Sequence, residues 1–185
     1  MIASRTVGRE TEKACASSRS DGKRWPILYS PLAMPLFSTD ARVVARTRDL
    51  PITWVGGCAP YVVAILKGAD TAAVRRNIDT DRARLDDVRL APGRYRVVLS
   101  DGANQRVEGS FEAVTELPAL PADLAADRTD LGIIAQAIWL SDADGGRWRL
   151  DAFDRLRPLL RTGNALAGAI GDGILWSRPN DRPQR

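Results

Sequence analysis

The chain has 185 residues, 44% hydrophobic and 27% charged, with a net charge of +4, which suits one medium soluble domain or two small ones. It contains no histidine, so Ser-His-Asp and Cys-His catalysis and every histidine-based metal site are excluded. Two cysteines are too few for an all-thiolate tetrahedral site within one chain.

Residues 1–24 are polar, rich in small residues and without apolar periodicity, the composition of a disordered leader. "WPILYSPLAMPLFSTDA" (Trp25–Ala41) follows Lys23 and Arg24 and has roughly the layout of an export signal. Its three prolines and the long polar lead depart from that pattern. Residues 1–41 are therefore expected to form a disordered, signal-like leader. No stretch reaches the roughly 20 apolar residues a membrane-spanning helix needs. Cys15 and Cys58 can pair if the chain is exported, but Cys15 lies in the polar leader, and unpaired thiols are the expectation.

From Val43 the pattern becomes regular. β-branched runs stand at Val43–Val44 and Ile52–Val55, and "YVVAILKG" (Tyr61–Gly68) is a run of strand formers closed by glycine. "TAAVRRNIDTDRARLDDVRL" fits either two short strands or a loosely amphipathic helix. "APGRYRVVLSDGANQRVEGSFEAV" predicts a β-hairpin. Tyr95, Val97 and Leu99 share one face, Arg94, Arg96, Val98 and Ser100 the other.

"PITWVGGCAPY" (Pro51–Tyr61) lies between two apolar runs. A phosphate loop would need a helix after its glycines, and a reactive thiol would need a cation or a second cysteine nearby; neither is present. The stretch reads as a strand–bend–strand unit in which Gly56, Gly57 and Pro60 make the bend and Trp54 and Tyr61 bury their rings at its shoulders.

After Thr115 the pattern turns helical. "LPALP" is a linker, Asp130 can cap a helix, and Leu131, Ile134, Ala135, Ile138 and Trp139 recur at helical spacing. "DADGG" ends that helix. A second spans Arg149–Arg161, with Leu150, Phe153, Leu156, Leu159 and Leu160 on one face and a kink expected at Pro158. A third covers about 165–175, packing through Leu166, Ile170 and Trp176.

The early Trp54, Gly56, Gly57, Pro60 and Tyr61, and the late Gly93, Tyr95, Val97, Leu99 and Asp101, resemble bacterial immunoglobulin-like β-sandwich modules, which carry a W-x-G-G-x-x-P-Y strand pair and a G-x-Y-x-V hairpin. The resemblance covers about 70 residues. It implies a spacer, adhesion unit or partner-binding domain of an envelope or surface protein. The expected fold is α+β overall: an immunoglobulin-like β-sandwich over 42–115, a small helical subdomain over 116–178 docked by Trp139, Phe153, Leu156 and Trp176, and a frayed tail over 179–185.

Other candidate chemistry is weaker. "SDADGG" lacks the oxygen ligands of a calcium loop. "DTDRARLDD" groups Asp79, Asp81, Asp86 and Asp87 with Arg82 and Arg84, a salt-bridged surface rather than an acid/base pair. Arg94, Arg96 and Arg106, with Arg75 and Arg76, offer a phosphate-binding face, yet Tyr95 points away from it, so base stacking is absent. The expected function is a non-enzymatic protein-interaction or scaffolding module at a bacterial envelope or in the periplasm. It would bind another protein, without a cofactor or metal and with nucleic acid unlikely as a partner. The alternatives are a regulatory or nucleic-acid-associated protein using its scattered arginines, and a cytoplasmic location.

Overall fold

A computed structural model of the protein describes residues 31–37 and 40–176. Seven strands come first: β1 (Ala41–Val44), β2 (Thr47–Thr53), β3 (Tyr61–Lys67), β4 (Asp70–Ile78), β5 (Arg82–Arg89), β6 (Gly93–Ser100) and β7 (Arg106–Val114). Four helices follow: α1 (Ala122–Ala126), α2 (Asp130–Gly146), α3 (Arg149–Arg161) and α4 (Ala165–Trp176). The strands form a five-stranded sheet in the order β1-β7-β6-β3-β4 and a two-stranded sheet, β2-β5. This is a β-sandwich-like arrangement with helices appended, the expected fold class.

The predicted hairpin is β6–β7, paired from Gly93↔Ala113 to Ser100↔Arg106. Tyr95, Val97 and Leu99 turn inward and are almost fully buried, because alternate residues of a strand face opposite sides. The Tyr95 hydroxyl accepts from the Ala91 N–H and donates to the Ala91 carbonyl, both at 2.9 Å. It thereby fixes the entry to β6 as a tyrosine corner does. Its ring stacks on Phe111 at 5.1 Å.

The ambiguous stretch forms two strands, and they do not pair with each other. β4 returns along β3 through a two-residue turn with Gly68 at φ 62°, whereas β5 crosses to pair with β2. The turn at 79–81 thus carries the chain from one sheet to the other. Almost every residue of β4 is exposed, so no apolar alternation marks it in the sequence.

Within the apolar prolyl segment, residues 31–37 are core rather than leader. Leu32, Met34, Leu36 and Phe37 are all buried within the sandwich, and Ala33 bridges Val55 with hydrogen bonds in both directions. Residues 1–30 and 177–185, which hold the rest of the expected leader and all of the tail, lie outside the described residues. The segment sits so close to β7 that a Cβ added at Gly109 would stand 2.5 Å from the Phe37 Cβ and 3.0 Å from the Phe37 carbonyl oxygen. Gly109→Ala is therefore expected to cost about 1–3 kcal/mol by overpacking, read as a lower urea midpoint at unchanged m-value. An unshifted midpoint would mean that the 3₁₀ turn at Pro35–Phe37 does not lie against β7.

The helices are not packed as first expected. Thr129, rather than Asp130, caps α2, its hydroxyl accepting from the Gly132 N–H at 3.0 Å, while Asp130 is the first helical residue. Leu131 and Ile138 point to solvent at 69% and 46% exposure. The buried face of α2 carries Ile134, Gln136, Ala137 and Leu140. Gln136 is buried because its amide donates to the Leu124 and Asp127 carbonyls, which satisfies a polar group that would otherwise be costly to bury. α3 runs unbroken through Pro158; the missing N–H falls in the last turn, where it costs little more than one hydrogen bond. In α4 the buried residues are Ala167, Gly171, Ile174 and Leu175, and Leu166 is half exposed.

Of the expected docking residues, Leu156 is fully buried at the centre of the helical cluster, and Phe153 packs against both that cluster and the sandwich core. Trp139 lies at the margin of the helical cluster and Trp176 against the sandwich. Sequence reading missed Trp148, 3% exposed, and Leu150, which enters the sandwich core. Among the described residues no helix is long and apolar enough to cross a membrane.

Candidate binding cleft

The structure brings the early signature residues together with Asp101 at one end of the sandwich, whereas Gly93 and Tyr95 lie toward the other end of β6. Gly56 and Gly57 take φ of 74° and 73°, and the Ala59–Pro60 bond is cis. Trp54 is fully buried and meets Tyr61 edge-on at 5.1 Å. Asp101 ties this bend to the β6–β7 turn. One carboxylate oxygen accepts from the Cys58 N–H at 2.8 Å, the other from Ala103 and Gln105 at 3.0 and 2.7 Å. Gly57 has no room for a side chain, since a Cβ would stand 2.7 Å from Leu32 Cδ1. Gly93, at φ 131°, opens β6. Asp101 and the close packing at Gly57 make this cluster a structural joint. Cys58 is disulfide-bonded, which corrects the expectation of a free thiol; the chain's other cysteine, Cys15, lies outside the described residues.

Between the sheets and the helices runs a second assembly, made of ions. Arg48 on β2 has a side chain only 2% exposed. It donates to Asp151 at 2.7 Å, to Asp154 at 2.7 Å and to the Leu150 carbonyl at 3.1 Å. Asp151 also accepts from the Val44 N–H at 2.9 Å. Arg46 and Arg157 approach Asp154 at 3.0 and 2.6 Å, and Arg157 continues to Asp49 at 3.1 Å. Asp49 then pairs closely with Arg84 on β5. Burial pushes the Asp151 carboxyl above its usual range despite the attraction of Arg48. The Asp87 N–H, and then Arg84 and Arg157, hold Asp49 below that range against a smaller opposing effect of burial. At the first residue of α3, Arg149 is buried and donates to the Ile174 carbonyl, while the Thr53 hydroxyl donates to the Leu175 carbonyl. Both donors meet the negative end of the α4 dipole.

These two devices fix α3 and α4 beside the β4–β5 edge and leave a cleft of about 660 Å³ between them. One wall is cationic: Arg75 and Arg76 from β4, Arg82 and Arg84 from β5. The other is apolar and comes from the helices: Phe153, Leu160, Gly168, Leu175 and Trp176. The lining holds two acids, Asp79 and Asp172, so the cleft carries a surplus of positive charge. Arg84 is held by Asp49 and by Asp86 at 2.8 Å, and Arg82 lies 3.6 Å from Asp81. Arg75 donates to the Arg84 carbonyl. Among the described residues neither Arg75 nor Arg76 has an acidic partner.

Arg75 and Arg76 line this cleft, whereas Arg94, Arg96 and Arg106, grouped with them in the sequence reading, do not. Arg96 and Arg106 pair with Glu108 at 3.6 and 2.6 Å, on the β6–β7 hairpin. The signal for the true grouping is the Arg-Arg pair before the turn at 79–81 and the Arg-x-Arg after it. It becomes legible only once both segments are known to be strands.

No family model matches the chain, and a search of curated proteins finds no match. Among solved structures the chain is similar to CopC from Methylosinus trichosporium OB3b, at 20% sequence identity, over 45% of this chain and 91% of that one, with a TM-score of 0.33.

Proposed function

We propose that this protein is a non-enzymatic protein-interaction module of the bacterial cell envelope, and that its contact surface is the arginine-rimmed cleft. The observation that carries this reading is the pairing of Arg75 and Arg76, which lack acidic partners among the described residues, with an apolar helical wall across a cleft of binding-site size. Cation beside reachable apolar surface is the chemistry of a protein contact, where arginine and aromatic residues dominate the energetics. A non-catalytic role is supported by the lack of histidine and by the engagement of Asp49 and Asp151 in ion pairs. The disulfide at Cys58 supports an oxidising compartment such as the periplasm. A nucleic-acid role is less well supported, because Asp79 and Asp172 would face any phosphate chain laid along the cleft.

The test is site-specific crosslinking in a bacterial host. A photoreactive side chain at position 76 is expected to capture one discrete polypeptide, and the same group at position 106, on the β6–β7 hairpin, is not. Equal capture from both positions, or capture of nucleic acid at position 76, would overturn the proposal.

A further inference from the structure

The two walls of the cleft differ so sharply that they specify more than a sign of charge. Arg75 and Arg76 offer guanidinium groups that no carboxylate of the described chain satisfies, and a planar guanidinium binds a carboxylate through two parallel hydrogen bonds. Across from them Phe153, Leu160 and Trp176 are each only half-buried, so each has apolar area left to cover. Between these side chains α4 presents Gly168, where an added Cβ would meet nothing within 4 Å. The helix there has a notch rather than a packed surface.

The segments outside the described residues do not complement this site. Residues 177–185 contain three arginines and one aspartate, and residues 1–30 contain six basic and three acidic residues. Both segments share the sign of the cleft. A continuous phosphate backbone is disfavoured by Asp79 and Asp172 in the lining, whereas a peptide with a few discrete carboxylates can place them opposite Arg75 and Arg76 and avoid both aspartates.

We infer that the cleft binds a short segment of a partner protein in which a large aliphatic or aromatic side chain is flanked by aspartate or glutamate. The flanking carboxylates meet Arg75 and Arg76, and the apolar side chain enters the notch at Gly168 against Phe153, Leu160 and Trp176. This rests on the reading of the cleft as the contact surface.

Three synthetic peptides of equal length separate the two ideas when titrated into the full-length oxidised protein by fluorescence anisotropy. The first is acidic with a central leucine, the second equally acidic with serine in its place, and the third keeps the leucine but carries amides instead of acids. The first is expected to bind about tenfold more tightly than the second, the gain from burying one large apolar side chain, and the third to bind weakest. Gly168→Leu fills the notch and should bring the first peptide down to the affinity of the second. Since leucine is a better helix former than glycine, this variant retains α4. Arg76→Glu should weaken both acidic peptides by at least about fivefold, an effect that shrinks in high salt.

If the first and second peptides bind equally, the apolar anchor is wrong and the charged contact surface stands. If neither acidic peptide binds, or Arg76→Glu leaves them unaffected, both the anchor and the contact-surface reading fall. Tighter binding of an oligonucleotide of equal charge would replace the peptide with a nucleic acid as occupant.

Discussion

A truncated chain beginning at Ala41 is expected not to reach a cooperatively folded state at 25 °C. The truncation removes Leu32, Met34, Leu36 and Phe37, exposed by 9%, 4%, 2% and 4% respectively. Burying one such side chain contributes about 1.5–3 kcal/mol, so the four together supply roughly 6–12 kcal/mol. A domain of this size has a total stability of about 5–15 kcal/mol. The loss is thus comparable with the whole margin, before counting the hydrogen bonds between Ala33 and Val55. Phe111 would lose its contact with the Phe37 ring, 6.0 Å away, and the floor under β7 would open to water. Near-UV circular dichroism and urea unfolding read the outcome. The milder Phe37→Ala should cost about 3–5 kcal/mol, which keeps the measurement informative even if the truncated chain is insoluble. A truncated chain with a sharp transition within about 5 °C of the intact protein, a shift worth only about 1–2 kcal/mol, would show that residues 31–37 are not part of the core.

Arg48→Met carries the second large effect, an expected loss of about 3–5 kcal/mol. Methionine approximates the length of the aliphatic stem but leaves Asp151, its side chain 2% exposed, as a buried carboxylate without its principal cation. Asp154 suffers less, because Arg46 and Arg157 still reach it. Two controls separate charge burial from packing. In the double variant Arg48→Met with Asp151→Asn, the charge is gone and an amide oxygen remains to accept from the Val44 N–H, so at least half of the loss should return.

The pH dependence supplies the other control. Asp151 in the folded protein is raised by burial above its ordinary value of 3.8, and losing Arg48 raises it further. A folded-state value above the unfolded one gives a contribution fully present below the unfolded value and lost as pH rises through the folded value. The deficit of Arg48→Met should therefore be greatest at neutral pH and shrink on acidification. Asp49 works in the opposite direction, its contribution being present above the unfolded value and lost as pH falls through its lowered folded value. Stability curves should accordingly be compared between pH 7.5 and 5, above the range in which Asp49 takes up its proton. A deficit that does not shrink as pH is lowered through the folded range would mean that Arg48 acts by packing alone.

What the sequence disclosed depended on how local the cause was. The β6–β7 hairpin was legible because Tyr95, Val97 and Leu99 alternate with polar neighbours and a turn joins two adjacent strands. The bounds of α3 were legible because Leu150, Leu156 and Leu159 recur along one face. β4 was not, since eight of its nine residues lie outside the buried class and no periodicity survives at an exposed edge. The face of α2 was misread for a related reason: Gln136 is buried by hydrogen bonds to carbonyls 12 and 9 residues away, while Leu131 is left in solvent. Residues 31–37 read as leader, because apolar residues broken by prolines look the same in a sequence whether they precede a domain or line its sandwich.

The ionic assembly was beyond any local reading. Arg48 and Asp151 are 103 residues apart, and nothing near either predicts the other. The cleft inherits the same difficulty. Its arginines are visible as residues, but their convergence follows from a chain that leaves one sheet for the other at 79–81, and from helices anchored by pairs that span most of the protein.

Because Arg149 and Thr53 pin the last turn of α4, Trp176 is fixed in the cleft wall, and anything attached after Arg185 is tethered only nine residues from the site. An affinity handle or fluorescent fusion joined there is within tether reach of the very surface it is meant to report on, and an acidic one would act as its competitor.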